Sequence, residues 1–68
     1  MDKYYVDKNR QLEGEHEVHK EGCSWMPSDE NRIYLGEFYM CRLAVEEAKK
    51  HYFMVDGCYA CCRECYTR

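Results

Sequence analysis

The stretch Asp56-Gly57-Cys58-Tyr59-Ala60-Cys61-Cys62-Arg63-Glu64-Cys65 decides how this chain folds, because it holds four of the six cysteines. Two C-x-x-C units abut in it, Cys58/Cys61 and Cys62/Cys65. Two intervening residues let the backbone turn so that both sulfurs of a unit face one centre, as tetrahedral zinc binding requires. One unit supplies two ligands, and a closed structural site takes four. The other two are expected from His19-Lys20-Glu21-Gly22-Cys23, where Gly22 permits a tight turn. The expected site is therefore Cys3His, with His19, Cys23, Cys58 and Cys61 holding Zn2+ and clamping the front of the chain to its tail. Cys62 and Cys65 form a secondary candidate pair. Disulfides or free buried thiols are the alternative fates of these cysteines.

Size makes such a clamp useful. A chain of 68 residues is one domain, taken as 1–68. At this length folding buries only about 60% of the unfolded surface, so the core alone is marginal. Small domains make up the deficit with disulfides or a metal. Met1-Asp2-Lys3-Tyr4-Tyr5-Val6-Asp7-Lys8 has no apolar run of the signal-peptide kind. Nothing in the chain approaches the ~20 apolar residues of a membrane span. The expectation is a cytoplasmic, reducing setting, where clustered cysteines more often bind metal than pair. Ten basic residues against thirteen acidic ones give a net charge of −3, which argues against general affinity for nucleic acid or anionic membrane.

Working outward from the tail, Cys41, Ala44, Val45, Ala48, Tyr52 and Val55 recur at helical spacing and predict one amphipathic helix. Arg42, Glu46, Glu47, Lys49 and Lys50 fill its polar side, with Glu46 and Lys50 as a favourable i, i+4 pair. Gly57 is read as the helix stop. Upstream, Lys3–Val6 reads as a first strand and Glu15–His19 as a second. In Arg32-Ile33-Tyr34-Leu35-Gly36, a third strand, Ile33 and Leu35 share one face and Gly36 ends the run. His16 and His19, three apart in a strand, point to opposite faces, so only His19 belongs with Cys23. The expected fold is α+β: a small three-stranded antiparallel sheet, one C-terminal helix and a cysteine-rich knuckle.

The order Val18-His19-x-x-x-Cys23, Asn31-Arg32-Ile33-Tyr34-Leu35, Phe38, an alanine-bearing helix and Gly57-Cys58-x-x-Cys61 resembles the small zinc domain of Ada-type DNA repair proteins. The likeness covers residues 18–61. It implies zinc ligands at His19, Cys23, Cys58 and Cys61, and nucleic acid as one class of partner. The chain departs from that family in three places. His19 stands where the family has its methyl-accepting cysteine, so the resemblance does not carry methyl transfer to this chain. The interval between Cys23 and Cys58 is longer, and Cys62 and Cys65 lie beyond the family's closing pair. The chain as a whole also resembles small bacterial proteins.

The remaining features read as structural. Cys41, on the apolar stripe, is expected to be a small core residue, with a disulfide to Cys62 or Cys65, or membership of a second metal site, as the alternatives. His16 is read as a solvated strand residue and His51 as a helix-end one. A redox role for C-x-x-C wants the first cysteine at a helix N-terminus, and too little chain follows Cys61 to build one. Seven tyrosines and Trp25 suit half-buried positions on a small sheet better than base stacking on an acidic chain. Trp25 and Met26 are candidates for a partner-facing patch or a cover over the metal. The function expected is a non-enzymatic zinc module. A nucleic-acid accessory module, a thiol redox or metal-handling protein and a protein-partner adaptor are the rivals.

Overall fold

Strand alternation builds the core in the computed structural model, which describes residues 1–67; Arg68 lies outside the described residues. Strand β1 (Asp2–Asp7) buries Tyr4 and Val6, and β2 (His16–Lys20) buries Val18 on the same side. Strand β3 (Arg32–Phe38) adds Leu35, with Ile33 and Phe38 packed against the cluster. Helix α1 (Cys41–Ala48) lays Cys41, Ala44 and Ala48 onto this face. The small helix residues allow a close approach to the sheet, and the 0% exposure of Ala44 and Ala48 shows that it occurs.

A fourth strand corrects the expected sheet. β4 (Val55–Gly57) pairs with β2 in parallel, giving a mixed sheet in the order β3-β1-β2-β4. The β1–β2 and β1–β3 pairs are antiparallel, as expected. The residues that make β4 were assigned by their spacing to the helix. In fact α1 stops at Ala48 and the chain closes with turn bonds from the N–H groups of Lys50 to the Glu47 carbonyl and of His51 and Tyr52 to the Ala48 carbonyl. Tyr52 then leaves the helix to stack on His16, ring centroids 3.6 Å apart and nearly parallel. Val55 follows into the sheet opposite His16. Two competing tertiary contacts thus outweigh one more helical turn. The shortened helix also changes its ion pairs: Lys49 meets Glu46 and Lys50 meets Glu47, both at i, i+3.

Two further expectations change. Gly36 does not end β3. It sits at an irregularity where Tyr4 opposes Gly36 and Tyr5 opposes Tyr34, leaving Leu35 as the extra residue of a bulge. Its φ of +124° is a conformation that glycine alone adopts without strain, and the strand runs on to Phe38. His16 is buried rather than solvated, with its Nδ1 2.8 Å from the Asp7 carbonyl oxygen.

Gly57 is a packing glycine, not a helix stop. A Cβ there would lie 2.6 Å from Cys65 Cβ, 2.8 Å from the Cys62 carbonyl oxygen and 2.9 Å from the Cys65 carbonyl carbon. Two of these neighbours are backbone and cannot swing aside. Gly57→Ala is therefore expected to destabilise by about 1–3 kcal/mol, the usual cost of overpacking, read as a lower urea midpoint at unchanged slope.

The tail ends against the helix through a Cys41–Cys65 disulfide. Of the fates weighed for Cys41, it takes two at once: it is 3% exposed within the core and it is bonded to Cys65. Among the described residues, no helix is long and apolar enough to cross a membrane.

Candidate metal centre

His19, Cys23, Cys58 and Cys61 converge so that one ligand atom from each lies within 4.8 Å of all the others. Each arrives by a different local device. Alternation on β2 turns Val18 into the core and His19 to the opposite face, where it is 1% exposed beneath its neighbours. Beyond β2 the chain reverses with the Cys23 N–H donating to the Lys20 carbonyl and Gly22 at φ +94°. On the far side, the N–H of Cys58 donates to the Val18 carbonyl, which extends the parallel pairing and docks the knuckle beside His19. The Cys62 N–H donates to the Cys58 carbonyl, closing the turn that brings Cys61 back.

Distances within the group suit a tetrahedral ion. Ligand bonds of about 2.3 Å to sulfur and 2.0–2.1 Å to nitrogen imply ligand–ligand edges of roughly 3.5–3.8 Å. Cys23 Sγ and Cys58 Sγ lie 3.9 Å apart, and Cys61 Sγ lies 4.0 Å from His19 Nδ1. These two edges exceed that range by a few tenths of an ångström, and the widest separations in the group, up to 4.8 Å, must close by about 1 Å on an ion.

Backbone N–H groups are aimed at all three sulfurs. Trp25 donates to Cys23 at 3.4 Å, Ala60 to Cys58 at 3.3 Å and Lys20 to Cys61 at 3.2 Å. In the first two the donor is two residues past the cysteine, so the same turn recurs on both sides of the site. Such donors favour thiolate, the form that binds metal. Without an ion, the opposite pressures win. Burial pushes the Cys58 thiol up to about 12. A hydrogen bond with Cys62, then burial, pushes Cys61 to about 11, and burial raises Cys23.

These directions fix a pH dependence. The metal-free site holds three neutral thiols in the neutral range, so a divalent ion must displace three protons to bind. Apparent zinc affinity is expected to climb about a thousandfold for each pH unit between ~6.5 and 8, about tenfold per displaced proton. Competition titrations against a chelator of known proton dependence would measure this slope. A slope near one would mean that two of the cysteines are not ligands.

The secondary candidates do not join this group. Cys65 is bonded to Cys41, and Cys62 is 1% exposed in the core cluster. In extended chain Cys61 and Cys62 would point apart, but the tail curls and their sulfurs lie 3.8 Å from each other. His16 is engaged by the Asp7 carbonyl and by the Tyr52 ring. Trp25 is 57% exposed and touches the site through its backbone.

Sequence reasoning passed over Glu17. It stands two residues before His19 on the same face of β2, with Oε1 3.6 Å from His19 Nε2. Strand alternation next to a ligand histidine is the signal that would have found it. Burial, then the nearby carboxylates of Glu15, Asp7 and Asp56, raise its pKa above the usual range.

Comparison with protein-family models, curated proteins and solved structures gives no match.

Proposed function

We propose that this chain is a non-enzymatic zinc-binding module whose metal is structural. The observation that carries the reading is the convergence of His19, Cys23, Cys58 and Cys61 with a backbone N–H aimed at each sulfur. Three thiolates and one imidazole suit zinc, whose filled d shell imposes no geometry of its own and accepts this donor set. Four protein ligands fill a tetrahedral ion and leave no place for water or substrate, which is why the reading is not catalytic. The same order of ligands supports kinship in metal framework with Ada-type zinc domains. Because His19 occupies the acceptor position, the proposal keeps the framework and leaves out the methyl transfer.

The nucleic-acid reading needs basic side chains such as Lys3, Lys8, Arg10, Arg32 and Arg42 gathered on one surface. Arg32 is held by Asp29 and lies over the Tyr5 ring, while Arg42 stands on the helix that covers the other face of the sheet. A cytoplasmic setting suits the free thiols of the site, whereas an oxidising one suits the Cys41–Cys65 disulfide.

Intact mass decides these points together. Protein extracted without thiol reagents is measured native and then acid-denatured, and a separate acid-quenched portion is alkylated to count its thiols. The expected native mass exceeds the acid mass by one zinc, and the acid mass shows one disulfide. Absence of metal from protein prepared in zinc-containing medium would overturn the reading. A fully reduced acid mass would favour the cytoplasm.

A further inference from the structure

The two nitrogens of His19 face different groups. Nδ1 is on the side of Cys61, 4.0 Å from its sulfur. Nε2 is on the side of Glu17, 3.6 Å from Oε1, and it is a fully buried nitrogen with no hydrogen-bond partner among the described residues. A buried ring nitrogen in that condition is costly unless something accepts its proton. Glu17 is the charged neighbour in reach, and its side chain is 18% exposed.

Its place is fixed by the sheet. Glu17 opposes Asp56 across the parallel β2–β4 pair. Asp56 in turn accepts two hydrogen bonds from Thr67, through its N–H and its hydroxyl. The Glu17 carboxylate therefore stands on a rigid strand, beside the imidazole and away from the sulfurs.

We propose that Glu17 is the positioning residue of the metal centre: its carboxylate accepts the Nε2–H of His19, which fixes the tautomer that presents Nδ1 to the ion. The proposal rests on the zinc reading above and adds a residue that touches the ligand, not the metal. Binding of a cation at Nδ1 makes the Nε2–H a stronger donor, and a small ring rotation brings 3.6 Å to hydrogen-bond length.

The test is zinc affinity by chelator competition for wild type, Glu17→Gln and Glu17→Ala, with long-range 1H–15N spectra of the His19 ring in each zinc-loaded protein. Glu17→Gln keeps the shape and an acceptor oxygen, so it guards against loss of fold. The expected results are a Nδ1-metallated, Nε2-protonated ring in wild type and a ten- to hundredfold loss of affinity in Glu17→Ala. Glu17→Gln should fall between, with the wild-type tautomer and an Nε2 proton shifted upfield. A ring metallated through Nε2, or Glu17→Ala affinity within twofold of wild type, would overturn the role of Glu17 and leave the zinc reading standing. Failure of wild type itself to bind zinc would overturn both.

Discussion

Replacing Cys58 by serine is expected to give a protein that purifies without zinc and, in reducing buffer, shows the narrow amide dispersion of a molten chain. Apparent binding free energies of structural zinc in small peptides are about 10–16 kcal/mol. A core in a chain below about 70–80 residues rarely supplies more than about 3–5 kcal/mol. Losing a third of the first therefore cancels all of the second. The position makes the substitution worse than ligand loss alone. Cys58 is 0% exposed, so a serine hydroxyl there is buried among sulfurs; its oxygen can accept from the Ala60 N–H, but its proton faces only the weak acceptor Cys23 Sγ. Cys23 is half-buried at a loop, and a serine there can reach water. The order of severity expected is Cys58→Ser, then Cys23→Ser, followed by NMR dispersion with and without zinc. Well-dispersed spectra from metal-free, reduced wild-type protein would show that the fold does not depend on the ion.

The metal centre was the legible part of this chain because its information is local. Cys58-x-x-Cys61 and His19-x-x-x-Cys23 are short intervals that constrain geometry by themselves, and the structure brings those four side chains together. The periodicity of β1, β2 and β3 was legible for the same reason: Tyr4, Val6, Val18 and Leu35 alternate with polar neighbours. What failed depended on contacts remote in sequence. Val55 fits a helical stripe as well as a strand, and only parallel pairing with His16-Glu17-Val18 decides the matter. Such pairing leaves no signature in a three-residue strand containing Asp56 and Gly57. The stacking of Tyr52 on His16, which helps end the helix, joins residues 36 apart. Glu17 was missed differently. Its alternation with His19 was visible, but a glutamate on a strand is ordinarily a solvated residue, and only a ligand histidine beside it gives it another meaning.

Removing the Cys41–Cys65 disulfide is expected to cost the metal-free protein about 3.5 kcal/mol, the chain-entropy estimate for a loop of this span, whose ends are 24 residues apart in sequence. That is comparable to everything the core can supply, so metal-free Cys41→Ala/Cys65→Ala should be largely unfolded at 25 °C. Alanine is the appropriate replacement because Cys41 packs between apolar neighbours and leaves no polar atom to satisfy. The loss should also appear in zinc binding. The disulfide holds the residue four places beyond Cys61 against the helix, while the metal would hold Cys58 and Cys61 against β2 and its following turn. Both clamps act on one tail, so their contributions should couple rather than add. Once the metal-free chain is unfolded, zinc must organise it on binding, and apparent affinity falls by the fraction that remains folded. A folding deficit of about 3 kcal/mol corresponds to roughly a hundredfold weaker zinc. Urea unfolding of the double variant with and without zinc, beside chelator competition, separates the two effects. Zinc-loaded protein should remain folded. A metal-free double variant as stable as metal-free wild type would mean that the disulfide contributes nothing to holding the tail.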